Sequence, residues 1–407
     1  MSDRTPHRHG ARSLTTGVRN TAWALGLAFG GAFMAPAFAA DPVKIGIALD
    51  ISGPFASGGA ETRDAINLAI KLLGNKLGGQ PAEFLTGDTA GNPDTAKQLV
   101  DRFIQRDKID MFTGPVPSNV ALAVAPSLIA AKIPYLSSNP GPSQYAGAQC
   151  SPYFFGTAYQ NDTWDEAAGQ YASEKGFKNA AIIAPNYPAG KDHLNGFKRR
   201  FTGTIATEIY GKVGQLDYAA ELAQIRAAKP DAVFFFLPGG MGINFIKQFV
   251  GAGLSKEMTL VTNPASADED IIAAVGEPML GLFSTSQWSH DLPFDANKKF
   301  VAEFRKAYNR YPTFYAAQAY DVIMAMDAAV KDVGGKVADR EALLKAIKKA
   351  NFPSVRGPFK YGNNNYPIQD YYLRVIGKNA DGQITNKTLS KPLTAYKDAY
   401  FDKCALK

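Results

Sequence analysis

The chain runs to 407 residues, more than one ordinary domain needs, so two lobes are expected. Apolar residues make up 46% and charged residues 20%, which excludes a disordered or membrane-embedded chain. The formal charge of +7 raises the question of nucleic acid, but residues 1–39 hold Arg4, Arg8, Arg12 and Arg19 against Asp3, and the remaining +4 is scattered without a basic block. That surplus reads as a solvated surface, and no nucleic-acid partner is expected.

The first 39 residues read as a secretion signal: an Arg-bearing start, an apolar run over 22–34, and Ala37-Phe38-Ala39 as a small-x-small cleavage site. A membrane anchor is the rival reading, but the apolar stretch of about 13 to 18 residues is short for a span. No Cys follows it, so release into a periplasm is expected rather than lipid anchoring. Cys150 and Cys404 both lie in the exported part, where an oxidising compartment favours pairing; two separate thiols are the alternative.

From Lys44 onward strands and helices alternate, which predicts parallel sheets flanked by helices. Strands are expected at 43–49 and 82–86. Helices are expected at 61–73 and at 94–106, the latter capped by Asp94. Next comes IDMFTGPVPSNVALAVAPSLIAAKIPYLSSNPGP, around which the reading is organised. A strand at 110–113 ends at Gly114, Ser118 and Asn119 open a helix, and a second strand at 134–136 releases Ser137, Ser138 and Asn139. Two polar loops then leave neighbouring parallel strands at one carboxyl edge, where open α/β sheets bind ligands. The unpaired amides at the start of the helix favour an anion. The duller alternative is that Ser118 only caps and the second loop only turns.

A second alternating series follows the aromatic run 153–159. Helices are expected at 163–174, 190–201, 218–228 and 241–251, and strands at 180–184, 205–210, 232–237, 259–262 and 282–285. Three further helices, 295–309, 314–330 and 339–350, return to the first lobe. A hairpin over 357–376 rejoins the second. Each lobe is thus discontinuous: residues 40–157 with 288–350, and 158–287 with 351–407. Repeated crossings make a hinge and a closing cleft.

These stretches resemble the type I periplasmic binding proteins, specifically the branched-chain amino-acid (Leu/Ile/Val) binding family of ABC importers. KIGIALDISGPFASGGAETRDAINLAI at 44–70 resembles the family's opening strand, loop and helix, and NYPAGKDHLNGF at 186–197 its Tyr-x-x-Gly helix start. The resemblance implies two Rossmann-like lobes joined by a multi-strand hinge. It also implies a monomer that hands a small ligand to a membrane permease. Ser118 would give a hydroxyl and an amide to a ligand carboxylate, and Ser138 and Asn139 further donors. Tyr187 would reach in from lobe two. Thr157, Tyr159, Gln160 and Asn161 fall where the family places other contacts, and Pro238 and Asn263 sit at strand ends facing the cleft. Phe55, Tyr159, Tyr187, Phe236 and Trp288 are candidate linings.

One departure bears on the ligand. Amino-acid binders of the family set an acidic residue against the ligand's ammonium, in the region matching 261–265, where this chain has Thr262, Asn263 and Pro264. A buried ammonium without a carboxylate costs several kcal/mol, so an aromatic carboxylate is expected ahead of an aliphatic amino acid. An amide-sensing module of the same fold is a further alternative.

Enzyme motifs mostly fail. There is no HExxH, no Gly-x-Ser-x-Gly and no phosphate-binding Gly-x(4)-Gly-Lys-Ser/Thr loop. Gly240-Met241-Gly242 lacks the third small residue of a dinucleotide loop, since Phe245 stands there. Asp192-His193 on a helix surface and His290-Asp291 in a loop read as solvated pairs, and Asn379-Asp381-Gly382 as a turn. No catalysis, cofactor or metal is expected.

Overall fold

The computed structural model describes residues 41–406; the expected secretion signal, residues 1–39, lies outside them. The chain opens with β1 (Val43–Leu49), α1 (Ala56–Leu72), β2 (Lys76–Leu77), β3 (Gln80–Asp88), α2 (Pro93–Arg102), β4 (Met111–Thr113), α3 (Ser118–Ala130), β5 (Tyr135–Leu136), α4 (Ser143–Ala146) and β6 (Phe154–Phe155). These strands form a six-stranded sheet in the order β2-β3-β1-β4-β5-β6, parallel except for the β2–β3 pair. The apolar run of β1 suits its place inside the sheet, where helices cover both faces. Asn92, not Asp94, caps α2: its side chain accepts from the amides of Asp94 and Thr95 at 2.8 and 3.1 Å.

The second series comprises α5 (Thr163–Glu174), β7 (Asn179–Pro185), α6 (Pro188–Arg200), β8 (Thr204–Gly211), α7 (Ala219–Ala228), β9 (Ala232–Phe235), α8 (Gly240–Gly251), β10 (Thr259–Thr262), α9 (Pro264–Ala267), α10 (Glu269–Val275) and β11 (Phe283–Ser286). Next come α11 (Asp295–Tyr308), α12 (Phe314–Asp332) and α13 (Arg340–Lys349), of which α12 packs along α1 of the first lobe and α13 packs on α12. The chain ends with β12 (Lys360–Tyr361), β13 (Pro367–Lys378) and β14 (Ile384–Tyr396). The second sheet runs β12-β13-β11-β10-β9-β7-β8, with β14 paired to β13; its core strands are parallel and β13 is antiparallel to its neighbours.

The chain therefore passes between the two sheets three times, after β6, after β11 and before β12. A buried Arg356–Asp321 ion pair braces two of these passages: Arg356 Nε donates to Asp321 Oδ2 at 2.8 Å, and Nη1 to the carbonyls of Thr157 and Ala158 at 3.0 and 2.8 Å. Cys150 and Cys404 form a disulfide with Cα atoms 5.7 Å apart, tying the C-terminal segment beside the first sheet. No helix among the described residues is long and apolar enough to cross a membrane.

Candidate functional site

β4 and β5 are parallel neighbours, and their carboxyl ends release the two expected loops side by side. The first turns at Gly114, whose φ is +87° and where a Cβ would stand 1.9 Å from the carbonyl oxygen of Ala48; only glycine fits. The buried carboxylate of Asp50, at the end of β1, holds this loop by accepting the Val116 amide at 2.6 Å. It also accepts from Thr89 and from the Gly91 amide, and burial pushes its carboxyl above the ordinary range. Asn139 laces the second loop to the first. Its Nδ2 donates to Val116 O at 2.7 Å, and its Oδ1 accepts from Gln318 of α12 at 2.5 Å.

Ser118 is the first helical residue of α3 rather than its cap. Pro117 holds the N-cap position and no side chain caps the helix. The Ser118 hydroxyl oxygen accepts from Asn161 at 3.2 Å, which leaves its own O–H free to donate elsewhere. Among the described residues the amides of Ser118 and Asn139 donate to no protein acceptor. Ser118 and Asn139 both line one side of a narrow, largely enclosed pocket.

The rest of that pocket is aromatic and apolar. Phe55, Val116 and Tyr315 come from the first lobe, Tyr159 from the first crossing, and Tyr187, Ala189, His193, Phe236, Pro238 and Ala265 from the second. Phe55 lies 5.9 Å from Tyr187 between ring centroids, and Tyr187 stacks toward Phe236 at 6.3 Å. Burial pushes the phenols of Tyr159, Tyr187 and Tyr315 upward, so they remain neutral hydroxyls. None of the lining residues is Asp, Glu, Lys or Arg. The acidic residues near the second lobe's loops are engaged elsewhere: Asp268 accepts Arg374 at 2.9 Å and the Phe314 amide at 2.5 Å.

Phe55, Ser118, Asn139, Tyr159, Tyr187, Phe236 and Pro238 are thus brought together. Other candidates stand behind the wall. Asn161 bonds Ser118, Asp192 and the Gly141 amide. Asn263 caps α9 and donates to Asp165. Ser138 is buried with its hydroxyl unpartnered but does not line the pocket. Thr157 meets the Tyr361 hydroxyl at 2.8 Å, Gln160 bonds Asp162, and Trp288 donates to Asn297 inside the core.

The structure corrects the sequence reading of Asp192-His193. Neither is solvated: Asp192 is 6% exposed and His193 0%. His193 Nδ1 pairs with the buried Asp165, which Asn263 orients at 2.9 Å, and the ring stacks on Phe236 at 3.6 Å. Burial raises the Asp165 carboxyl, with His193 and Asn263 pulling it back. The signal was present: Gly190, His193, Leu194 and Phe197 recur at helical spacing, so His193 belongs to the buried stripe of α6. His290 and Asp291 are likewise tied, to Thr385 and Thr388.

Two sheets flanked by helices, crossed three times by the chain and holding a pocket between strand-end loops, define a bilobal solute-binding protein. Residues 42–383 match the periplasmic binding protein family, and the chain belongs to it. A curated relative, Leu/Ile/Val-binding protein homolog 6 of Brucella melitensis, is 30% identical over 86% of this chain and 91% of its own. Among solved structures, an ABC-transporter solute-binding protein from R. palustris in complex with benzoate has a TM-score of 0.84 at 32% identity, covering 90% of this chain and 100% of that one. One from Rhodopseudomonas palustris BisB5 in complex with 3,4-dihydroxybenzoic acid has 0.83 at 34%, covering 88% and 99%.

Proposed function

We propose that this protein captures a small aromatic carboxylate in the periplasm and delivers it to the membrane permease of an ABC importer. In this reading residues 40–157 with 288–350 form one lobe and 158–287 with 351–407 the other, and the ligand is trapped as they close. The observation that carries the proposal is the polarity of the pocket. Unpaired amides of Ser118 and Asn139 and the Ser118 hydroxyl lie at one side, its walls are aromatic, and no acidic side chain lines it. Such a site favours an anion joined to a flat apolar body and offers an ammonium no carboxylate. The two R. palustris proteins, with bound benzoate and 3,4-dihydroxybenzoic acid, support the same choice. The Brucella relative keeps a branched-chain amino acid as the second reading.

Calorimetric titration of the protein and of Ser118→Ala with benzoate, hydroxybenzoates and leucine tests this. Aromatic acids are expected to bind and leucine not to. Ser118→Ala should weaken binding by more than the roughly 0.5 kcal/mol of an uninvolved surface change. Leucine binding without benzoate binding would favour the second reading.

A further inference from the structure

We infer that His193 is a second polar anchor of this pocket: its Nε2 accepts a hydrogen bond from a ring hydroxyl, so the site prefers hydroxylated aromatic carboxylates to benzoate. The inference deepens the proposed function and rests on it.

Three observations place this role on His193. Its Nε2 is buried and has no hydrogen-bond partner among the described residues, and the residue lines the pocket from the lobe opposite Ser118. Its ring is fixed, stacked on Phe236 at 3.6 Å on one side and toward Trp164 at 5.6 Å. Its other nitrogen is committed to Asp165, and in the inferred arrangement Nδ1 carries the proton and donates it to that carboxyl. Asn263 holds Asp165 in turn at 2.9 Å, and burial keeps water from the relay. In that arrangement Nε2 presents a lone pair. A ligand carboxylate has no proton to offer it, whereas a phenolic O–H does. Buried polar groups that would otherwise stay unpaired are what make hydroxyl recognition selective.

The test is calorimetry with benzoate, 3-hydroxybenzoate, 4-hydroxybenzoate and 3,4-dihydroxybenzoate on the protein and on His193→Phe, which keeps the stack and removes the acceptor. The variant's affinity for the best-bound hydroxylated ligand should fall roughly tenfold further than its affinity for benzoate, the usual loss for one buried hydrogen bond. Equal losses on both would overturn the inference and leave the proposed function standing. Failure of the unaltered protein to bind any aromatic carboxylate would overturn both. Should His193→Phe not fold, ¹⁵N NMR of the unaltered protein decides. The unprotonated Nε2 resonance should move upfield with the hydroxylated ligand and not with benzoate. An Nε2 protonated in both complexes, or unmoved in both, contradicts it.

Discussion

Asp192 of the second lobe accepts both the hydroxyl and the amide of Ser143 in the first, at 2.8 and 3.1 Å, and so bridges the lobes beside the pocket. Among the described residues no cation pairs with it. Burial first, and repulsion from Asp162 second, push its carboxyl up to about 6, against the hydrogen bonds from Ser143 and Asn161.

The native state therefore holds a proton on Asp192 that the unfolded chain has released between about pH 4 and 6, and stability falls as pH rises through that window. Asp192→Asn can keep the hydrogen bonds without the charge. Thermal melts should show no advantage for the variant near pH 4 and a growing one up to pH 7, where it reaches on the order of 2 to 3 kcal/mol. A variant less stable at pH 7 than at pH 4, relative to the parent, would contradict this.

Arg356 to Leu should be among the most damaging single changes outside the pocket. It would strand the Asp321 charge, which also accepts Ser354 and the Val355 amide, and would release the carbonyls of Thr157 and Ala158. Losing one partner of a buried ion pair costs about 3 to 5 kcal/mol, readable from urea denaturation. A loss below about 1 kcal/mol would show that the brace is dispensable.

The Cys150–Cys404 bond closes a loop of 254 residues. Replacing both by Ser should lower stability by up to about 5 kcal/mol in the chain-entropy account, and reductant should destabilise the parent but not the variant. Identical urea midpoints for the two proteins would argue that the tail is held by its other contacts.

The alternation of apolar runs made the parallel strands legible, since β1 matches its expected bounds and β4 and β5 lie side by side as read. The helix at Thr163–Glu174 was equally clear. β14 was not: its sequence ITNKTLSKPLTAY mixes Lys, Asn and a proline into an edge strand, where Pro392 is tolerated but periodicity is blurred. In the site, Ser118 was legible because a strand-end loop reaches the pocket by topology, whereas Tyr187 and Phe55 were expected from the family resemblance; all three line the pocket. His193 was hidden by its neighbour, since Asp192-His193 in sequence suggested a solvated pair while the true partner, Asp165, lies 28 residues away on α5. Trp288 shows the converse error, an aromatic at a crossing that folds inward onto Asn297.

The central claim concerns where a carboxylate sits, and a crystal structure of the protein grown with benzoate addresses it most directly. The account predicts the carboxylate oxygens at roughly 3 Å from the Ser118 hydroxyl and the Ser118 and Asn139 amides, with the ring against Tyr187 and Phe236. A benzoate whose carboxylate points at the second lobe, or that lies outside the pocket between the two sheets, would contradict it.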